Sequence, residues 1–194
     1  MIHLASNSAR RKELLHQMGV SFEVIPQFSE EVHQLNQSPE AYVSRLAHDK
    51  AIDGLSRQAN QKIPVLGSDT AVVLNDNILG KPKDKELAID MLLSLSEQTH
   101  QVITAVALIN AQKTEQIVSK TEVSFAKLSR SMCENYWKSG EPVDKAGSYG
   151  IQGQGALFIS NINGSYSGVM GLPIYETRIL LQKFDIHMLK ALII

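Results

Sequence analysis

The spacing of apolar positions predicts a chain in which helices and strands alternate. Apolar residues in 2–5 and the largely apolar stretch 63–74 are typical of buried strands. Apolar residues that recur every three or four positions predict helices over 9–18, over 39–55 and after Asp84. The first half of the chain therefore already combines strands with helices.

The second half of the chain continues this alternation. We predict strands over 101–109, 115–127 and 156–159, a short helix after Ser129, and a last helix from Pro173 to about Phe184. Asn163-Gly164 has the signature of a tight hairpin turn. Because helices and strands interleave throughout, the sequence predicts an α/β fold.

Length and composition limit the domain organisation. The chain has 194 residues, of which 43% are apolar, enough for one core or for two closely packed lobes. The sequence contains no internal repeat and no long linker. We therefore predict a single domain over 1–194. The apolar tail 188–194 either closes the core or contacts a partner, such as a second copy in a homodimer.

Charge and cysteine content exclude several classes of protein. The chain has 19 basic and 20 acidic residues, so it lacks the general positive charge of a nucleic-acid-binding protein. Cys133 is the single cysteine, which excludes an internal disulfide and suits a reducing compartment. The N-terminus lacks the basic start of a secretion signal, and no stretch reaches the roughly 18 apolar residues of a membrane span. We expect a cytoplasmic protein without membrane contact.

The segment Ser6-Asn7-Ser8-Ala9-Arg10-Arg11 predicts a local anion site. It lies between the first predicted strand and the first predicted helix, where hydroxyls and unpaired backbone N–H groups meet two guanidinium groups. The helix dipole and the guanidinium forks both favour phosphate. The alternative is a serine-capped amphipathic helix with solvated arginines.

Asp69 lies in the middle of an apolar strand and therefore needs a partner. The chain continues into Gly80-Lys81-Pro82, where the proline favours an extended Lys81 whose amine can point back along the sheet. An acid and a lysine together suit phosphoryl chemistry, in which the acid activates water or holds Mg²⁺. The alternative is a structural ion pair between neighbouring strands.

Three further groups are candidates for the same site. Lys50 leans toward the apolar face of its predicted helix, where its stem could instead simply cover apolar surface. Glu30-Glu31, together with Asp69, would make an oxygen-rich metal site, although loop glutamates are usually just solvated. Lys145 opens the glycine-rich stretch 147–155, in which a ligand could approach the backbone closely.

Within that stretch, Gln152 carries an amide that both donates and accepts hydrogen bonds and could contact a base edge.

Several other familiar motifs are absent from the sequence. The glycines fit neither a dinucleotide-binding fingerprint nor a P-loop, and the histidines and the cysteine have no zinc-ligand spacing. The sequence also lacks a nucleophile elbow, so it does not support serine hydrolase chemistry.

Several sequence blocks, taken in order, resemble one known family. They are Leu4-Ala5-Ser6-Asn7-Ser8-Ala9-Arg10-Arg11, Gly67-Ser68-Asp69-Thr70, Gly80-Lys81-Pro82, Leu95-Ser96-Glu97-Gln98-Thr99-His100, Asp144-Lys145-Ala146-Gly147-Ser148-Tyr149-Gly150-Ile151-Gln152-Gly153 and Gly171-Leu172-Pro173. The chain resembles the Maf family of nucleoside triphosphate pyrophosphatases, and within it the branch that acts on dTTP and UTP. Departures from the family pattern are Ala9 in place of proline, Glu97 in place of glycine and Gln154 in place of an apolar residue.

The resemblance implies a fold and a reaction. The fold would be an elongated α/β structure similar to inosine triphosphate pyrophosphatases, with a curved mixed sheet and two lobes around a cleft. The reaction would be hydrolysis between the α and β phosphates that depends on Mg²⁺ (or Mn²⁺) and releases a nucleoside monophosphate and pyrophosphate. The family is also associated with arrest of septum formation, which leaves a nucleotide-binding regulator as an alternative.

The resemblance also implies roles for individual residues. Asp69 would accept the proton of the attacking water. The expected phosphate contacts are Lys50, Lys81, Ser8 and Arg11, to which we add Lys145, and the expected metal ligands are Glu31 and Asp69. The expected base-contacting residues are Arg10, Thr70 and Gln152, which favour the pyrimidine branch over the branch that acts on 7-methyl-GTP.

Overall fold

The computed structural model describes residues 1–27 and 37–188, and it has a mixed sheet flanked by helices. The strands are β1 (Ile2–Leu4), β2 (Phe22–Val24), β3 (Val65–Leu74), β4 (Asn77–Leu79), β5 (Thr99–Ile109), β6 (Thr114–Phe125) and β7 (Ile159–Asn163). Their order in the sheet is β2-β1-β3-β5-β6-β7, and β4 pairs with the end of β3. The pairs β1–β2 and β1–β3 are parallel and the others antiparallel, so the predicted mixed α/β class is confirmed.

Six α-helices accompany the sheet in the described part of the chain. They are α1 (Ala9–Gln17), α2 (Pro39–Arg57), α3 (Lys85–Leu95), α4 (Arg130–Lys138), α5 (Tyr166–Met170) and α6 (Ile174–Lys183). The hydroxyl of Ser38 accepts from the backbone N–H of Ala41 and the carboxylate of Asp84 accepts from that of Leu87, as expected of N-caps. Short 3₁₀ helices cover Glu141–Asp144, Ala146–Ser148 and Gln154–Phe158.

Helix α2 lies directly on strand β3 because Gly67 has no side chain. A Cβ atom at Gly67 would lie 2.2 Å from the carbonyl oxygen of Ala47 and 2.7 Å from the backbone nitrogen of Ala51. Since alternate strand residues share a face, Gly67 and Asp69 lie on the same side of the sheet. The close contact therefore brings α2, and with it Lys50, onto Asp69.

Three apolar clusters form the core. One joins β1, α1 and α6, a second joins α3, α4 and the far ends of the long strands, and a third lies between α2 and the sheet. Ile151 and Met170 of the first cluster and Val72 and Tyr149 of the second line the same cleft. The cleft therefore lies where these two parts of the core meet.

Two predicted elements near residue 160 were wrong. The run 156–159 is mostly a 3₁₀ helix in which Leu157 is exposed, and strand β7 begins only at Ile159. Asn163-Gly164 does not form a hairpin, because β7 pairs with the earlier strand β6 and the chain turns at Gly164 into α5. Turn residues at the end of a strand cannot by themselves show which strand is the partner.

Two local conformations explain features of the sequence. Asn75 and Asp76 both have positive φ, 49° and 64°, which gives the two-residue turn that joins β3 to β4. Glu97 has φ 58° in the left-handed region, where glycine would be less strained. The family pattern has glycine at this position, so the departure costs backbone energy but leaves the turn in place.

Some predictions concern residues that the structure does not describe. Glu30 and Glu31 lie outside the described ranges, as does most of the apolar tail. Within 1–27 and 37–188, the helices include none that is long and apolar enough to cross a membrane. The single-domain organisation over 1–194 stays a prediction.

Candidate active site

A cleft of about 890 Å³ collects nearly all of the predicted site residues. Nine of the ten line it, namely Ser8, Arg10, Arg11, Lys50, Asp69, Thr70, Lys81, Lys145 and Gln152. The tenth, Glu31, lies outside the described residues. The cleft is large enough for a nucleotide. The roles of the individual residues stay predictions.

The N-terminus of α1 forms one wall of the cleft. Ser8 is the N-cap residue, and its hydroxyl makes no capping hydrogen bond to the helix. Ser6 has a structural role instead, because its Oγ accepts from the backbone nitrogen of Ser8 at 3.2 Å and from Nη1 of Arg11 at 3.2 Å. Ser8 thus occupies the N-cap position without a side-chain cap hydrogen bond, and its hydroxyl lies beside backbone donors at a positive helix end.

Several parts of the chain fix the guanidinium of Arg11. Its Nε donates to the carbonyl oxygen of Gly171 at 2.9 Å, and its Nη2 contacts Oγ1 of Thr70 at 3.4 Å. The same carbonyl of Gly171 accepts from the hydroxyl of Ser68 at 2.9 Å. Helix α1, strand β3 and the end of α5 thus hold this cation at the cleft before any ligand arrives.

Asp69 has the partner that its burial requires. Nζ of Lys50 donates to its Oδ1 at 2.6 Å, and the two residues are only 2% and 6% exposed. The pair joins α2 to β3, whereas the sequence suggested an ion pair between neighbouring strands as the structural alternative. Because Asp69 still lines the cleft, its carboxylate is held in one orientation at the surface where a ligand would bind.

The glycine-rich loop is clamped by Glu141. One carboxylate oxygen of Glu141 accepts from the Tyr136 hydroxyl at 2.6 Å, and the carboxylate also accepts from the backbone nitrogens of Gln154 and Gly155. Burial alone would raise the pKa of Glu141, but the hydrogen bonds from Tyr136 and from these two N–H groups outweigh it and lower that pKa. The clamp fixes the loop that carries Gln152.

Lys145 lines the cleft, but its ammonium group is bound within its own loop. It donates to the carbonyl oxygen of Glu141 at 2.6 Å and to the carboxylate of Asp144 at 2.9 Å. The hydrogen bond from Lys145 lowers the pKa of Asp144, and the charge of Arg10 lowers it further. Arg10 is therefore close enough to Asp144 for their charges to interact.

The lysine of the Gly80-Lys81-Pro82 segment is exposed and lines the cleft. The carbonyl oxygen of Gly80 accepts from the backbone nitrogen of Gly147 at 3.0 Å. A Cβ atom at Gly147 would lie 2.9 Å from Val72, and its φ of 67° also favours glycine. The segment that carries Lys81 and the loop that carries Gln152 are thus hydrogen-bonded to each other.

A buried histidine supports the same loop from behind. Nε2 of His100 lies 2.7 Å from the hydroxyl of Tyr149, which lines the cleft, and the imidazole packs edge-on against Phe125. His100 is 2% exposed, and burial lowers its pKa to about 4. The imidazole is therefore neutral at physiological pH, and its charged form is disfavoured in the folded chain.

This burial predicts a pH dependence of stability. In the unfolded chain His100 gains its proton near pH 6.5 and in the folded chain only near pH 4, so the free energy of unfolding falls as the pH drops through that window. Between pH 7.5 and pH 5 this group alone should remove about 2 kcal/mol. Urea denaturation at both pH values should show a smaller loss in His100→Phe than in the wild type. His48→Phe, at a half-exposed position, is the control, and equal losses in all three proteins would refute the prediction.

Residues 1–27 and 37–188 hold no cluster of three or more His, Cys, Asp or Glu side chains that could bind a metal. Asp69 does present a carboxylate in the cleft, and Mg²⁺ is commonly held by one or two carboxylates together with substrate phosphates. The described residues therefore fit a metal that binds with the nucleotide.

Sequence reasoning missed the residues that support the site. Glu141, Tyr136 and His100 contact the glycine-rich loop across 13 to 49 residues of chain. The sequence patterns assign no role to Glu141 or Tyr136, and His100 occurs only at the end of one of the sequence blocks that carry the resemblance. The sequence signal was weak because a charged residue beside a proline is typical of any turn.

The chain is similar to several proteins that carry the name of one activity. A relative from Saccharophagus degradans named dTTP/UTP pyrophosphatase is 48% identical over 187 residues, covering 95% of this chain and 89% of the relative. Relatives of the same name from Aliivibrio fischeri and Shigella boydii are each 50% identical, covering 94% and 95% of this chain and 97% and 93% of the relatives.

A weaker likeness is to the structure of the Staphylococcus aureus Ham1 protein, with a TM-score of 0.46 and 18% identity over 64% of this chain and 71% of that chain. The sequence profile described as Maf-like protein matches residues 1–184. With this match and relatives about half identical over nearly their whole length, the chain belongs to the Maf-like protein family.

Proposed function

We propose that this protein is a nucleoside triphosphate pyrophosphatase that hydrolyses dTTP and UTP to the monophosphate and pyrophosphate. The observation that carries the proposal is one cleft in which a buried carboxylate lies among lysine and arginine side chains and a helix N-terminus. Relatives about half identical to this chain carry the name of that activity. A structural ion pair alone would not account for the convergence of Ser8, Arg11 and Lys81 on the same cleft.

In this proposal the triphosphate binds along the wall that α1 forms. The backbone N–H groups of the first helical turn and the Ser8 hydroxyl donate to phosphate oxygens, and Arg11 adds a guanidinium whose orientation is already fixed. Lys81, which lines the same cleft, neutralises charge on the phosphates. Positioning and charge neutralisation are the main requirements of phosphoryl transfer.

Asp69 acts on the attacking water. Its carboxylate accepts a hydrogen bond from a water molecule in line with the α-phosphorus and takes the proton as the new P–O bond forms. The bond between the α-phosphorus and the bridging oxygen breaks, and pyrophosphate leaves with that oxygen. Lys50 holds the carboxylate in place throughout, because its ammonium donates to Oδ1 from a buried position.

A divalent cation, Mg²⁺ or Mn²⁺, would be held by Asp69 and the substrate phosphates, with Glu31 as the further ligand that the sequence predicts. When bound, such a cation neutralises charge on the phosphates and polarises the phosphoryl oxygens. The base would lie between the Gln152 loop and the wall that carries Arg10 and Thr70.

A nucleotide panel with product identification tests the proposal. Wild-type protein with Mg²⁺ is incubated with dTTP, UTP, CTP, ATP, GTP and 7-methyl-GTP, and monophosphate, diphosphate, pyrophosphate and orthophosphate are quantified. We expect UMP and pyrophosphate in equal amounts from UTP, and the corresponding products from dTTP. Binding without turnover of any nucleotide would refute the proposed reaction and favour a nucleotide-binding regulator.

A further inference from the structure

A buried threonine lies directly behind one of the predicted base-contacting residues. Thr104 of β5 faces Thr70 of β3 in the sheet register, and their hydroxyl oxygens are 2.9 Å apart. Thr104 is 1% exposed, and its hydroxyl also lies 2.8 Å from the carbonyl oxygen of Gly168 in α5. The hydroxyl of Thr70 is thus connected through Thr104 to the backbone of α5.

The Gly168 carbonyl and the Arg11 guanidinium, which contact the two threonine hydroxyls at the two ends, fix the direction of the hydrogen bonds. A carbonyl oxygen can only accept, so the single hydroxyl proton of Thr104 is directed to Gly168. Thr104 must then accept from Thr70, which commits the single hydroxyl proton of Thr70 as well. The Thr70 hydroxyl oxygen also lies near Nη2 of Arg11, which can only donate. Thr70 therefore accepts from Arg11 while it donates to Thr104.

We infer that Thr104 is a specificity-determining residue that makes Thr70 an acceptor toward the cleft. A hydroxyl oxygen accepts up to two hydrogen bonds, so Thr70 can accept one from Arg11 and one from a ligand. A ligand that presents an N–H at this point is favoured, and a ligand that presents a lone pair is rejected. Thr104 acts through Thr70 and is therefore a positioning residue.

This inference rests on the proposed function and deepens it. Uracil and thymine carry a hydrogen on N3, whereas N3 of cytosine is a lone-pair acceptor. An acceptor-only Thr70 therefore favours the uracil and thymine nucleotides and disfavours the cytosine nucleotide. When two acceptors face each other in a site from which water is excluded, neither can form a hydrogen bond. The mismatched nucleotide therefore loses binding free energy relative to the matched one.

Thr104→Val tests the inference, because valine has the shape of threonine but no hydroxyl. The Thr70 proton is then no longer committed and can be donated to N3 of cytosine. The ratio of kcat/KM for UTP to that for CTP should fall about tenfold, mainly through KM. Thr104→Ser keeps the hydroxyl and should keep the ratio within about twofold of the wild type.

Thr121→Val is the matched control. Thr121 is also 1% exposed, and its hydroxyl also bonds the backbone of the α5 region, donating to the carbonyl oxygen of Ser165 at 3.3 Å and accepting from its N–H at 2.9 Å. Thr121 is not among the residues that line the cleft. If loosening of α5 alone changed selectivity, Thr121→Val would change it as much as Thr104→Val.

The possible outcomes separate this inference from the proposed function. Absence of UTP hydrolysis by the wild type would refute the proposed function, and the inference with it, before any variant is compared. Hydrolysis without preference for UTP over CTP would overturn the inference alone. An unchanged ratio in Thr104→Val, or an equal fall in Thr121→Val, would also overturn it. Should the valine variant fail to fold, Thr104→Cys, whose thiol is a weak acceptor and donor, must lower the ratio instead.

Discussion

Asp69→Asn should lower kcat for UTP by at least about a hundredfold, the usual minimum contribution of a positioned general base. Asparagine has the shape of aspartate and can still accept the hydrogen bond from Lys50, but it removes the charge that the buried ammonium faces, so some stability should be lost and circular dichroism must first show that the variant is folded. Its neutral amide cannot take the proton of the attacking water. Affinity for a non-hydrolysable UTP analogue, measured by calorimetry without a divalent cation, should remain within about threefold, because the loss of a negative charge does not weaken phosphate binding.

Asp90→Asn is the control for this substitution, since Asp90 is an exposed residue of α3 and is not among the residues that line the cleft. It should keep the wild-type rate. A rate in Asp69→Asn close to that of the wild type would show that another group accepts the proton. A lost rate together with lost analogue binding would assign Asp69 to binding instead of to the chemical step.

Lys50→Met should destabilise the fold as well as abolish activity. The methionine stem replaces the buried lysine stem, but Asp69 is then left buried beside α2 without the ammonium that its Oδ1 accepts from. Removing one partner of a buried ion pair typically costs about 3 kcal/mol or more. Urea denaturation at pH 7.5 should therefore show a loss of about 3 kcal/mol in the free energy of unfolding.

Two further variants separate charge from packing at this pair. Lys50→Met combined with Asp69→Asn leaves no uncompensated charge, so it should recover most of the lost stability and none of the activity. Lys120→Met removes the partner of Glu40 in an exposed ion pair and should cost less than about 1 kcal/mol. If the double variant were no more stable than Lys50→Met, the loss would come from packing of the lysine stem.

Much of the fold could be predicted because its signals are local. Strand β3 has apolar residues on both sides of Gly67-Ser68-Asp69-Thr70, and α2 begins at Ser38-Pro39, a serine cap followed by a proline in the first turn. Helix α6 likewise begins directly after Pro173. In each of these elements, residues next to one another in the sequence carry enough information to define the element.

The errors fall where the partner is distant in the sequence. The run 156–159 is apolar enough for a strand, but its position beside the Glu141 clamp favours a 3₁₀ helix with Leu157 exposed. Asn163-Gly164 could not be distinguished from a hairpin, because the strand that pairs with β7 precedes it by more than 30 residues. Pairing between distant segments is not encoded in local turn chemistry.

The same distinction holds for the candidate site. Asp69 was predicted to need a partner because burial of a carboxylate has a known cost, and the structure confirms a partner. That Lys50 is the partner depends on the approach of α2 to Gly67, which no motif records. Thr104 was missed entirely, because a threonine in a buried strand is usually a packing residue and its hydrogen-bond direction follows only from three-dimensional contacts.

Hydrolysis of UTP in water enriched in ¹⁸O tests the central claim most directly. If Asp69 directs water to the α-phosphorus, the new P–O bond belongs to the monophosphate. Mass spectrometry should then find one ¹⁸O atom per UMP and none above background in pyrophosphate. Label in pyrophosphate would show attack at the β-phosphorus, and release of UDP with labelled orthophosphate would show attack at the γ-phosphorus; either result would contradict the mechanism.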